Sequence, residues 1–233
     1  MCGRFRLSRR KQVIAERFDT ISDDDWTPRY NIAPTQPIPV VRQHPAEPTR
    51  HLSKMRWGLI PSWSNDEQAA KMINARSETA ATLPAFQDAF RFRRCLIPAD
   101  GFYEWQGRGT NKQPFCFEVN EGELFAFAGL WDGWKAADGQ WIRSCTILTT
   151  TANAVCSAVH DRMPVILEPA DYDLWLDPGM RDPAVIAALL KPFNANAMRS
   201  YAVSHRVNSV GNDDAECAKP ATLPAPSQGQ LFG

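Results

Sequence analysis

Apolar residues alternate with polar ones, or run continuously, in seven stretches of the chain: 37–42, 51–58, 94–98, 101–106, 114–119, 123–130 and 141–150. Such stretches predict strands. Helical spacing appears instead over Ser8–Phe18, with Val13, Ile14 and Phe18 on one face and Ser8 as the cap. Further helices are predicted near 76–90, 151–159, 169–176 and 183–191, the last two opened by Pro169 and Pro183 at the favoured first-turn position. Residues 19–35 read as an Asp-rich loop ending at Asn31-Ile32-Ala33-Pro34. Runs of strands with scattered helices predict an α+β fold: a single β-rich, mostly antiparallel domain over residues 2–217 with peripheral helices. Residues 218–233, AKPATLPAPSQGQLFG, carry three prolines and little core-forming material, and read as a flexible tail.

Composition narrows the class. With 233 residues, 44% apolar and 22% charged, the chain is an ordinary globular protein. No apolar run approaches a membrane span, and MCGRFRLSRRK lacks the apolar core of a secretory signal, so a cytoplasmic location is expected. The 26 basic and 26 acidic residues cancel, which argues against an indiscriminate nucleic-acid coat. The balance hides a polarity: residues 1–110 hold 17 basic and 12 acidic groups, and residues 111–233 hold 9 and 14. A basic front half suits an anionic partner. The six cysteines form no CxxC pair and no ligand-like spacing with the four histidines, so neither metal nor cofactor is expected. Cys95, Cys116 and Cys145 lie in strand-like runs and read as small buried hydrophobes carrying reduced thiols.

Cys2 stands apart. Initiator methionine is normally removed before a small second residue, leaving Cys2 with an α-amine that ordinarily titrates at about 7.7–8.0 beside a thiol that titrates at about 8.5. Such a 1,2-aminothiol condenses with an aldehyde to an imine, and its sulfur then closes a five-membered thiazolidine. The same terminus could instead act as an N-terminal nucleophile for amide hydrolysis, with its own amine as base.

Further motifs follow in order: Tyr30-Asn31-Ile32-Ala33-Pro34, Trp57-Gly58-Leu59-Ile60-Pro61-Ser62-Trp63, Asn74-Ala75-Arg76-Ser77-Glu78, Pro98-Ala99-Asp100-Gly101-Phe102-Tyr103-Glu104-Trp105 and His160-Asp161-Arg162-Met163-Pro164. Together with the Cys2-Gly3-Arg4-Phe5 start, they resemble the SOS response-associated peptidase (SRAP) family from Cys2 to about Gly211. The resemblance implies a single β-rich α+β domain with a positively charged groove for single-stranded DNA. It also implies a thiazolidine crosslink between mature Cys2 and the aldehyde of an abasic deoxyribose, and it places the family's catalytic glutamate at Glu104.

Residue chemistry assigns the other roles. Opening the abasic sugar ring and expelling water need proton transfers, for which Glu104, desolvated by flanking aromatics, and His160 are the candidates. The Asn74 amide suits the Cys2 amine or a sugar oxygen. Arg4, Arg76 and Arg162 are candidate phosphate ligands, with Glu78 buttressing an arginine rather than joining the chemistry. His44, His51 and His205 read as structural. Bases beside a lesion need flat apolar platforms, for which Trp63, Pro34 and Trp57 are candidates in decreasing order of exposure. At the other end, Gln228-Gly229-Gln230-Leu231-Phe232 resembles a bacterial sliding-clamp docking motif, so Gln228, Leu231 and Phe232 predict weak clamp binding. The expected protein is a monomer that crosslinks to abasic single-stranded DNA and reverses the crosslink through Glu104. The alternatives are a thiol peptidase or amidase that removes its own Met1, and a non-covalent reader of modified DNA.

Overall fold

All seven stretches with strand patterning fold as strands in the computed structural model, which describes residues 2–22, 24–43, 46–65, 72–107, 109 and 112–221. The proposed clamp motif lies outside the described residues. In chain order the elements begin with β1 Phe5–Leu7, α1 Lys11–Phe18, β2 Thr20–Ser22, β3 Arg29–Ile32, β4 Pro37–Gln43, β5 Arg50–Trp57, β6 Asn74–Arg76, α2 Ser77–Ala80 and α3 Gln87–Phe92. There follow β7 Arg94–Ala99, β8 Gly101–Gln106, β9 Gln113–Val119, β10 Phe125–Lys135, β11 Trp141–Thr151, α4 Ala154–Ser157, β12 Arg162–Pro164, β13 Ile166–Leu167, α5 Tyr172–Leu176, α6 Pro183–Ala188 and β14 Met198–Ala202.

These strands form two sheets. The smaller has the order β14-β9-β8-β1-β3, and the larger runs β12-β11-β10-β7-β4-β5-β2 with β13 on β10 and β6 on β11. A parallel contact between β5 and β11 closes β11-β10-β7-β4-β5 into a ring. Pairing is otherwise antiparallel except at β2–β5 and β6–β11. The core lies between the sheets, where Phe102 stacks on Phe117 and Phe5 meets Phe127 edge-on. This is the expected α+β, β-rich architecture. Among the described residues, no helix is long and apolar enough to cross a membrane.

The helices are shorter than their patterning suggests, each for a local reason. Ser8 does not cap α1: its N–H and hydroxyl both donate to the Asp100 carboxylate, at 2.9 and 2.5 Å. The helix therefore starts at Lys11, buries Ile14 and Phe18 one turn apart, and leaves Val13 exposed. Pro84 interrupts the expected helix over 76–90, because proline lacks an N–H and disfavours helix at the residue before it, so α2 and α3 are separate. Asn153 caps α4, accepting from the N–H groups of Val155 and Cys156, after β11 has run on to Thr151. Pro169 opens a 3-10 turn ahead of α5, and Pro183 opens α6, which ends at Ala188. The expected loop over 19–35 contains β2 and β3.

Charge polarity along the chain serves the fold directly. Front-half arginines pair with rear-half carboxylates: Arg6 with Glu118, Arg29 with Asp213, Arg50 with Asp173 and Arg93 with Asp132. The basic excess of residues 1–110 is thus partly consumed in joining the two halves.

Candidate active site

Placement of the N-terminus starts with Phe5. It is fully buried, with its ring 5.2 Å from Trp57 and 5.8 Å from Phe127, both in edge-on geometry. Its strand β1 lies between β3 and β8, and this pairing carries Cys2, three residues earlier, into the interior. Asn74 then fixes the Cys2 backbone: its Nδ2 donates to the Cys2 carbonyl at 2.9 Å. Among the described residues, Asn74 Oδ1 is buried with no hydrogen-bond partner. An unsatisfied buried acceptor beside the terminus suits an incoming N–H or O–H donor. β6 is held parallel to β11, and its period of two puts Asn74 and Arg76 on one face while Ala75 is buried on the other.

Glu104 is buried in β8. The alternation sends the flanking Tyr103 and Trp105 to the opposite face, where they pack with Val203, Val207 and Cys217. Phe115 lies across the ladder from it. The Cys2 thiol is pushed well above its ordinary range by burial, and further by the Glu104 carboxylate. The Cys156 thiol is likewise pushed up to about 12 by burial and then by Glu104. Glu104 and the two thiols therefore lie within one another's electrostatic reach.

His160 follows α4, and Gln106 of β8 holds that turn by donating to the Ala158 carbonyl at 2.7 Å. The ring Nδ1 lies 3.0 Å from the Arg162 backbone nitrogen. Nδ1 is also 2.8 Å from Asp161 Oδ1, a contact that the protonated ring would strengthen. An open cavity of about 460 Å3 is lined by Arg4, Glu104, Trp105, Lys112, His160 and Asn208. Three of the expected residues, Arg4, Glu104 and His160, thus share a wall, with Cys2 and Asn74 reached through Glu104.

Arg4 lies over the Trp105 ring and donates through Nη1 to Asn31 Oδ1 at 2.7 Å and to the Val207 carbonyl at 2.8 Å. Asn31 is a hub, its Nδ2 donating to the carbonyls of Val207, Ser209 and Asn212. Pro34 is half-buried at the second position of a turn closed by Gln36 N–H donating to the Ala33 carbonyl, and Thr35 there has φ 71°. That is a type II turn bearing a β-branched residue where glycine is favoured, a local strain.

The remaining assignments fare differently. Trp63 is 63% exposed, whereas Trp57 is fully buried, its indole N–H donating to the Ile73 carbonyl, so Trp57 is a core residue and not a base platform. The Trp63 loop is anchored on β10, where Ser62 N–H donates to Asp132 and the Trp134 indole to the Ser64 carbonyl, apart from the contacts around Glu104. Arg76 is exposed. Arg162 is committed within the protein, forming a forked pair with Glu78 and donating to the Thr149 carbonyl at 2.6 Å. Lys112, Asn208 and Asn31 escaped sequence reasoning. Only Asn31 carried a signal, its place in a motif. All six cysteines are buried and free.

The Glu78–Arg162 pair has a pH signature. Arg162 holds the Glu78 carboxyl down at about 2, from an ordinary value of 4.5. Because the folded value lies below the unfolded one, the pair's stabilisation is present above about 4.5 and is lost as pH falls toward 2. Melting temperatures of the native protein and of Glu78→Gln are expected to converge near pH 2 and to separate above pH 4.5. Parallel curves across that window would remove the pair from the stability account.

Comparison with known proteins defines the class. The SOS response associated peptidase (SRAP) family profile matches residues 1–210, and the chain belongs to this family. It is 41% identical over 221 residues to "Abasic site processing protein YoqW" of Bacillus subtilis, covering 93% of this chain and 98% of the relative. It is 31% identical over 271 residues to "Abasic site processing protein HMCES" of Gallus gallus, covering 98% of this chain and 80% of the relative. Among solved structures, a protein from Bacteroides thetaiotaomicron superposes with a TM-score of 0.85 at 27% identity, over 95% of this chain and all of the other.

Proposed function

We propose that this chain processes abasic sites in single-stranded DNA by forming a covalent adduct through Cys2. The observation that carries this reading is the placement of Cys2: its carbonyl held by Asn74, its thiol in the field of buried Glu104, beside a cavity lined by Arg4 and His160. After removal of Met1, the Cys2 amine attacks C1′ of the ring-opened deoxyribose, and the resulting carbinolamine loses water to give an imine. Cys2 sulfur then adds to the imine carbon while the nitrogen takes a proton, so aldehyde and aminothiol become thiazolidine and one water. Glu104 is placed to take the thiol proton in closure and to return one in reversal. His160 is placed to serve the sugar hydroxyl, and Arg4 and Arg76 the flanking phosphates. Trp63 offers a platform for an unstacked base.

The state of the thiol favours this order of events over a thiol peptidase. A peptidase needs a thiolate as its first nucleophile, and burial together with Glu104 opposes that form. In the thiazolidine route the amine attacks first and sulfur follows intramolecularly.

The test begins with intact mass, to establish loss of Met1. The processed protein is then incubated with a single-stranded oligonucleotide bearing one abasic site, and denaturant-resistant adduct is measured. Cys2→Ala is expected to lose the stable adduct altogether. Equal stable adduct from Cys2→Ala would overturn the mechanism, and amide turnover without any DNA requirement would favour the peptidase.

A further inference from the structure

The β10–β11 hairpin extends past the end of β7, whose last contact with it is the Trp131 N–H donating to the Arg93 carbonyl. Its two faces differ. One carries Asp132 and Trp134 and anchors the Trp63 loop. The other carries Trp131 and Gly133 from β10 and Trp141 and Arg143 from β11, and with Lys54 of β5 these line an open groove of about 620 Å3. None of these residues takes part in the chemistry around Cys2.

Three features make the groove more than a solvated edge. Trp141 is 65% exposed, and its ring lies across Gly133, where a Cβ would sit 3.6 Å from the ring carbons. Most of the indole is thus open to solvent and available to stack on a partner. Second, Arg42 of β4 lies over Trp131, 5.3 Å from the ring centroid, and among the described residues its buried Nε has no hydrogen-bond partner. Third, cations gather there: Lys54 and Arg143 line the groove and Arg42 lies over Trp131. Arg42 is lowered from its ordinary pKa by burial and then by Arg143, a like charge nearby. Two carboxylates border the groove, and each has a backbone partner: Asp24 accepts the Lys54 N–H at 2.7 Å, and Asp138 accepts the Gln140 N–H in the hairpin turn at 3.0 Å.

An exposed indole among arginine and lysine side chains matches a chain of phosphates carrying accessible bases. We infer that this groove binds a stretch of single-stranded DNA outside the lesion, on the far face of the hairpin from Trp63. A duplex would offer its phosphates to the cations but keep its base faces stacked, leaving Trp141 without a partner. The inference deepens the reading of the chain as a processor of abasic sites. It gives the protein a second hold on the strand, one that does not depend on damage.

The two readings are tested separately. Affinity is measured with undamaged single strands of 12 and 40 nucleotides and with a 20-base-pair duplex across a salt series, and adduct formation with a 12-nucleotide abasic strand. Trp141→Ala is expected to weaken binding of the 40-nucleotide strand by at least about fivefold, the lower end of a lost stacking contact. Lys54→Glu with Arg143→Glu is expected to make the slope of log affinity against log salt shallower by about 1.4, at about 0.7 for each lost phosphate contact on a single strand. Both variants should form adduct on the 12-nucleotide strand at the native rate, which also reports that they fold. Native affinity and slope in both variants overturn the groove, as does a loss confined to the duplex or one equal on the 12- and 40-nucleotide strands. Absence of adduct from the native protein would instead overturn the proposed function, leaving the binding measurements to stand on their own.

Discussion

Glu104→Gln is expected to slow adduct formation by about 10²–10⁴-fold, the usual worth of a positioned general acid–base group. The amide keeps the shape of the side chain and cannot move a proton. The same substitution removes a negative charge that helps push up both the Cys2 and the Cys156 thiols. Both thiols should therefore ionise more readily in the variant. Here the two mechanisms differ in sign: a thiolate-first enzyme would gain nucleophile and speed up, whereas an amine-first enzyme slows. Single-turnover adduct formation, with alkylation of Cys156 against pH as the companion measurement, separates them. An adduct rate within threefold of native would remove Glu104 from the chemistry.

Arg94→Met is expected to cost about 3–5 kcal/mol, the largest loss of stability from any one surface-remote arginine. The Arg94 side chain is buried, and its guanidinium donates to carbonyls alone: Trp175 through Nε, Phe90 and Arg91 through Nη1, and Asp177 and Met180 through Nη2. Phe90 and Arg91 lie in the last turn of α3, and Trp175 near the end of α5. One cation thus satisfies the orphan carbonyls at two helix ends and complements both negative dipole ends. Burial draws its pKa down to about 10, so it remains charged at neutral pH. Methionine would fill the space but strand the carbonyls, each costing roughly 1–3 kcal/mol where water cannot enter. At about 2–4 °C per kcal/mol for a chain of this size, the melting temperature should fall by about 6–20 °C. A fall below about 3 °C would show that water or relaxation replaces the guanidinium.

Much of the scaffold was legible because long strands advertise their period. β11 was visible over 141–150, and the buried first half of β10 over 123–130, although β10 runs on to Lys135. Of the elements around the site, β8 was legible over 101–106, but three others were not. β1, β3 and β6 have three or four residues each, too few for a period, and exist because distant strands pair with them. The SRAP motifs located Cys2, Asn74 and Glu104 all the same. What no local pattern could convey was the closure around them: Arg4 meets the Val207 carbonyl across most of the chain, and Asn31 meets three carbonyls from the same distant turn. The charge polarity was visible but its use was not, since much of it is spent on pairs such as Arg6–Glu118.

The central position of β1 has a consequence for biosynthesis. Its partner β3 follows within about 30 residues but β8 lies about 100 residues downstream, so at about 5–20 residues per second β1 lacks its second neighbour for roughly 5–20 s after it is made. Once β8 arrives, Phe5 is locked into the core and Cys2 with it.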